Sequence, residues 1–129
     1  MMDRAAKFRQ AAIAYLHVGV LYEGAAYVMW HRGVLVGRGP VWIQHHVPGW
    51  VWLAVGGTVM ALIVWGLWTW QNVWFARAVW LLNVFRVPSL IGGAFFPLSA
   101  NVAPQAFYVT ALVVVVINLW MLARAAWDV

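Results

Sequence analysis

The chain has 129 residues, 66% of them hydrophobic and 9% charged, with a formal net charge of +5. Ordinary soluble domains are about half apolar and a quarter charged, so this chain cannot clothe itself in a water-compatible surface. Composition excludes a soluble enzyme, a disordered tail and a nucleic-acid-binding module, and leaves an all-α integral membrane protein with residues 1–129 as one transmembrane domain.

Crossing the hydrocarbon takes roughly 20 mainly apolar residues. The first qualifying segment runs over about residues 10–30. Arg4, Lys7 and Arg9 before it imitate a signal peptide. The apolar run from Ala11 to Trp30 is too long for one and carries His17 and Glu23, so it reads as an uncleaved first helix. Residues 31–48 hold Gly33, Gly37, Gly39, Pro40 and Pro48, with aromatic and histidine side chains between them. That composition predicts a structured interfacial loop between the first two helices.

The second segment, 49–70, is interrupted by Gly56-Gly57, and the link at Gln71-Asn72 is very short. The second and third helices are therefore expected to be antiparallel neighbours. The third segment, 74–96, contains Arg86-Val87-Pro88 and Gly92-Gly93. A proline there frees a backbone carbonyl and predicts a kink. A polar turn bracketed by Pro97 and Pro104 leads to the fourth segment, 104–123, whose Ala111–Ile117 stretch is the most lipid-like. Its β-branched run is read as helix, because an open sheet edge is not satisfied in lipid. The expectation is four transmembrane helices in a compact bundle, in the plasma (inner) membrane of a bacterial-type cell.

Charge sets the orientation. With the N-terminus inside, Arg4, Lys7, Arg9, Arg77 and Arg124 face the cytoplasm while Arg32 and Arg38 lie outside, five against two. That bias places both termini in the cytoplasm. The 11 tryptophans fit the same frame. Trp30, Trp42, Trp50 and Trp52 mark the outer interface, Trp68, Trp70, Trp74 and Trp127 the inner one, and Trp65, Trp80 and Trp120 lie deeper, where packing is the preferred role.

Charges inside a bilayer cost about 2.5–3.5 kcal/mol each on insertion scales. Glu23 and Arg86 therefore stand out. Glu23 lies 13 residues beyond Gln10 and Arg86 lies 12 beyond Trp74. Counted from those inner ends the two are level, which predicts an intramembrane Glu23–Arg86 ion pair. The preferred meaning is structural, with the pair fixing which helices touch; the other is uptake and release of a proton or cation at Glu23. His17, Asn83, Asn118, Thr58 and Thr110 form an expected polar interhelical layer. One imidazole can ligate haem iron or a chlorophyll magnesium, which makes His17 a candidate cofactor ligand, although a polar contact is preferred and the sequence requires no cofactor. His31, His45 and His46 are weak metal candidates with no carboxylate nearby in sequence.

No nucleophile–base constellation or phosphate loop is legible, so enzyme activity is the least supported class. The first expectation is a small non-catalytic subunit that packs against a larger membrane complex or against itself, with the lipid bilayer as its medium and no nucleic-acid partner. The second is a small transporter. Four helices and an acidic residue in the first, within Leu21-Tyr22-Glu23-Gly24-Ala25, resemble the small multidrug resistance family in overall organisation. That resemblance implies proton- or cation-coupled transport with Glu23 as the coupling site.

Overall fold

A computed structural model describes residues 3–31, 48–96 and 105–127, all of them in helices or the short segments flanking them. Helix α1 covers Arg4–His31 and α2 covers Gly49–Thr69. Helices α3 (Val73–Val84) and α4 (Val87–Phe95) form one interrupted span, and α5 covers Gln105–Trp127. Four stretches are long and apolar enough to cross a membrane: Arg4–Val28, Trp50–Thr69, Val73–Phe95 and Gln105–Trp127. There are no strands among the described residues. The 31–48 loop, apart from its two ends, and the Pro97–Pro104 turn lie outside the described residues, as do His45 and His46.

Two helices outrun their apolar segments. Helix α1 begins at Arg4, because the Asp3 carboxylate accepts from the Ala6 amide at 2.7 Å and caps a first turn built of good helix formers. Helix α5 continues through Arg124-Ala125-Ala126 to Trp127. Hydropathy marks where a helix meets lipid, whereas local propensity and caps decide where it stops.

The α2–α3 connection is as short as its sequence suggests. Gln71 adopts φ 51°, the left-handed conformation that ends α2. Asn72 then caps α3, its side chain accepting from the Trp74 amide at 2.8 Å and the Phe75 amide at 3.4 Å. Helices α2 and α3 are in contact, while α1 packs more extensively along both α2 and α5, and α5 along both α3 and α4.

Three pairs of contacts fix the registers. A side chain at Gly19 would strike Met60, and one at Gly56 would strike the Glu23 carboxylate. Four residues up α1 thus match four down α2. Asn118 bonds the Ala11 carbonyl and Phe107 packs edge-on against Tyr22, so eleven residues up α1 match eleven down α5. Asn83 meets Asn118 and Gly93 lies against Tyr108, ten up and ten down. The interruption between α3 and α4 therefore does not shift the register. Both α2 and α5 run antiparallel to α1, and α3–α4 runs parallel to it.

Two apolar clusters follow. One gathers Phe8, Ala11, Ala12, Tyr15, Leu67, Ala76, Val79, Leu122, Ala125 and Ala126, with residues from every span. The other, built on Val18, Leu90, Ala111 and Val115, contains no α2 residue. Helix α2 parts from the interrupted span beyond the first cluster. Helix α2 makes no contact with α4.

Candidate functional site: a polar layer around Arg86

The layer is built by the interruption itself. Pro88 has no amide hydrogen to give the Val84 carbonyl, and its ring crowds that carbonyl. The chain answers with a tight turn in which the Arg86 amide donates to the Asn83 carbonyl at 3.1 Å. The Arg86 carbonyl then accepts from the Leu90 amide at 3.3 Å and the Ser89 hydroxyl at 3.1 Å. Where the sequence predicts a kink, the regular helix is interrupted at Phe85 and Arg86, whose backbone stays in the right-handed helical region.

Asn83 lies one turn before Arg86 on the same face and is completely buried, as is Asn118. The Asn83 Nδ2 donates to the Asn118 Oδ1, and the Asn118 Nδ2 donates to the Ala11 carbonyl at 3.4 Å. Three spans are tied together by two amides. The Asn83 Oδ1 is buried with no hydrogen-bond partner.

Arg86 makes its contacts with rings. Its guanidinium carbon lies 4.6 Å from the Tyr22 ring centre and 6.0 Å from that of Tyr15. Its Nη1 is buried with no hydrogen-bond partner. An aromatic face attracts a cation but supplies no lone pair in the guanidinium plane.

Comparison with family models, curated proteins and solved structures returns no match.

The Glu23 carboxylate lies against Gly56 on α2. Three residues beyond Asn83, Arg86 is level with Val115 on α5 and so with Ala14 on α1, about nine residues below Glu23. At 1.5 Å per residue the two backbones are offset by roughly 13 Å along the helices, and the Arg86 side chain spans much of that, reaching the ring of Tyr22 beside Glu23 in sequence. Counting depth from Gln10 and Trp74 makes the two charges level, but α1 begins at Arg4, so those two positions are not level themselves. The two residues also face different ways, Glu23 towards α2 and Arg86 towards the rings of Tyr15 and Tyr22.

Of the expected polar layer, Asn83 and Asn118 are brought together and the others are not. His17 is exposed, and its Nδ1 bonds the Ile13 carbonyl of its own helix at 2.8 Å. Thr58 is exposed and donates to its own Ala54 carbonyl at 2.8 Å. Thr110 is exposed as well. Hydroxyl and imidazole groups can bond the carbonyl one turn back and still face lipid; an asparagine that reaches across to another helix has to be buried. His31 is exposed and packs edge-on against Tyr27, ring centres 4.4 Å apart. No group of three or more His, Cys, Asp or Glu suited to a metal occurs among the described residues.

Tyr15 and Tyr22 are the site residues that sequence reasoning missed. Their spacing of seven puts them on one face of α1, a signal available in the sequence but masked by the many aromatics of this chain.

Proposed function

We propose that the chain is a small non-catalytic membrane subunit, a four-helix bundle with both ends on the cytoplasmic side, that packs against a larger membrane protein through Arg86. The observation that carries this reading is the Arg86 Nη1, buried without a hydrogen-bond partner. A guanidinium inside a bilayer needs an acceptor, and pairing between charged side chains of different helices is the usual remedy. A carboxylate or carbonyl from a second polypeptide, approaching between α2 and α4, which do not touch, completes the site.

The test is isolation from native membranes in mild detergent. A membrane protein that co-purifies with the unaltered chain and with Arg86→Lys, but not with Arg86→Leu, supports the reading. A solitary monomer, or a partner retained by Arg86→Leu, overturns it.

A second reading has its own observation. Glu23 sits at the contact with α2, the least enclosed of the four spans at 11% buried. An acid at a lightly held helix suits proton- or cation-coupled transport. Uptake into proteoliposomes driven by a proton gradient and lost in Glu23→Gln supports this alternative; no uptake by the unaltered chain ends it.

A further inference from the structure

The registers gather most of the basic side chains at one end of the molecule. Arg4, Lys7 and Arg9 open α1, Arg77 lies near the start of α3, and Arg124 lies near the end of α5. Among the described residues the carboxylate at this end is that of Asp3, just before α1. The Asp3 carboxylate is already engaged as the cap of α1, and Lys7 is buried. The arginines are held in a repeated manner. Arg9 stacks over Trp68 at 5.6 Å, and Arg77 over Trp74 at 4.6 Å and Trp127 at 5.4 Å. Arg4 stacks over Phe8 at 5.6 Å and donates to the Gln71 carbonyl. Arg77 also donates through Nε to the Ala126 carbonyl at 3.3 Å.

A guanidinium held over a ring still has N–H groups to donate, and their fork matches two phosphate oxygens. The rings beneath are exposed, Trp74 at 73% and Trp68 and Trp127 at 43%. Tryptophans at helix ends mark the headgroup level of a bilayer. Cation, ring and apolar flank together suit a ligand with a phosphate at one end and acyl chains at the other. An acidic soluble protein would match the charge and leave the apolar flank uncovered.

We infer that Arg9 and Arg77, with Arg4 beside them, bind the phosphates of anionic phospholipid headgroups, phosphatidylglycerol in class, and so hold this end in an anionic leaflet. This inference goes beyond the subunit reading and does not depend on Arg86.

Native mass spectrometry of the full chain in uncharged detergent, offered equimolar phosphatidylglycerol and phosphatidylcholine, tests it. Phosphatidylglycerol adducts predominate on the unaltered chain, and each arginine replaced lowers that preference roughly fivefold, the fold-change for one basic residue near an anionic surface. Arg9→Gln/Arg77→Gln is the direct variant. Arg4→Gln/Arg9→Gln changes only exposed side chains and serves if the first fails to fold. Parity of the two lipids on the unaltered chain, or an unchanged preference in the folded variants, overturns the inference. Displacement of the lipid by an equal concentration of inorganic phosphate also overturns it, in favour of a free-anion site. So does an acidic polypeptide that co-purifies in place of the lipid and is lost on the same substitutions.

Discussion

The guanidinium of Arg86 rests on the ring of Tyr22, 4.6 Å from its centre, one residue away in sequence from the acid that depth counting makes its partner. The two tyrosines of α1 hold the cation from the side, and the break before Pro88 presents it to them. A stacked, desolvated cation–π contact is worth about 1–2 kcal/mol, less than the penalty for removing a guanidinium from water. The arrangement is held in place by the fold around it.

This predicts an unusual mutational pattern. In the isolated protein Arg86→Leu leaves the unfolding temperature unchanged or raises it, because a cation whose Nη1 is buried without a hydrogen-bond partner is replaced by a side chain suited to its surroundings. Tyr22→Leu lowers stability by about 1–2 kcal/mol when Arg86 is present and by about 1 kcal/mol less when Arg86 is already leucine. Reversible unfolding in mixed micelles for the four chains gives the coupling directly. Zero coupling removes the stacking from the account.

Asn83 and Asn118 form the second relationship to test. Interhelical hydrogen bonds in membranes average about 0.6 kcal/mol and reach about 1.7 in double-mutant cycles. Asn118 bonds both Asn83 and Ala11, so Asn118→Leu should exceed that average and fall near 1–2 kcal/mol, leaving Asn83 stranded. Adding Asn83→Leu to it should then cost little or restore stability. Additive losses in the double variant would show that the two amides act independently.

Glycines divide into two kinds along α2 and α4. A side chain at Gly56 collides with the Glu23 carboxylate, and one at Gly93 collides with the Tyr108 ring; beside Gly57 and Gly92 lies open space. Overpacking costs about 1–3 kcal/mol, whereas removing a glycine from a helix interior gains up to about 1 kcal/mol. Gly56→Val and Gly93→Val should therefore lower the unfolding temperature while Gly57→Ala and Gly92→Ala hold or raise it. Equal effects within either glycine pair would contradict the registers.

These cases mark what the sequence makes legible. The four apolar stretches, the turn at Gln71-Asn72 and the disruption at Pro88 are local properties of composition and backbone chemistry, and each can be read in advance. The meeting of Asn83 with Asn118 is readable because each lies near the inner third of its own segment. Depth across the molecule is different. It depends on where each helix begins, and Asp3 starts α1 six residues before the apolar segment. That offset sets the backbone of Arg86 about nine residues below that of Glu23. The stacking of Arg86 on Tyr15 and Tyr22 depends on rotation about two helix axes, which no linear count contains. His17 and Thr58 illustrate a third gap: a polar side chain that bonds its own backbone needs no neighbour, and its residue type alone does not reveal that choice.

The α2–α3 turn supplies the last prediction. Gln71 holds φ 51° at the position after a helix where glycine is usual, because a Cβ crowds the following carbonyl by about 1–2 kcal/mol in that conformation. Its backbone carbonyl accepts from Arg4, and a glycine keeps that acceptor. Gln71→Gly should raise stability by about 0.5–1 kcal/mol, the gain being reduced by the greater freedom of glycine in the unfolded chain. Asn72→Ala, next along the chain, should do the opposite by about 1 kcal/mol, since two amides of α3 lose the side-chain oxygen that caps them. Thermal unfolding of the two variants beside the unaltered chain should give shifts of opposite sign, and a loss of stability in Gln71→Gly would show that the glutamine side chain, not its backbone, is what the turn requires.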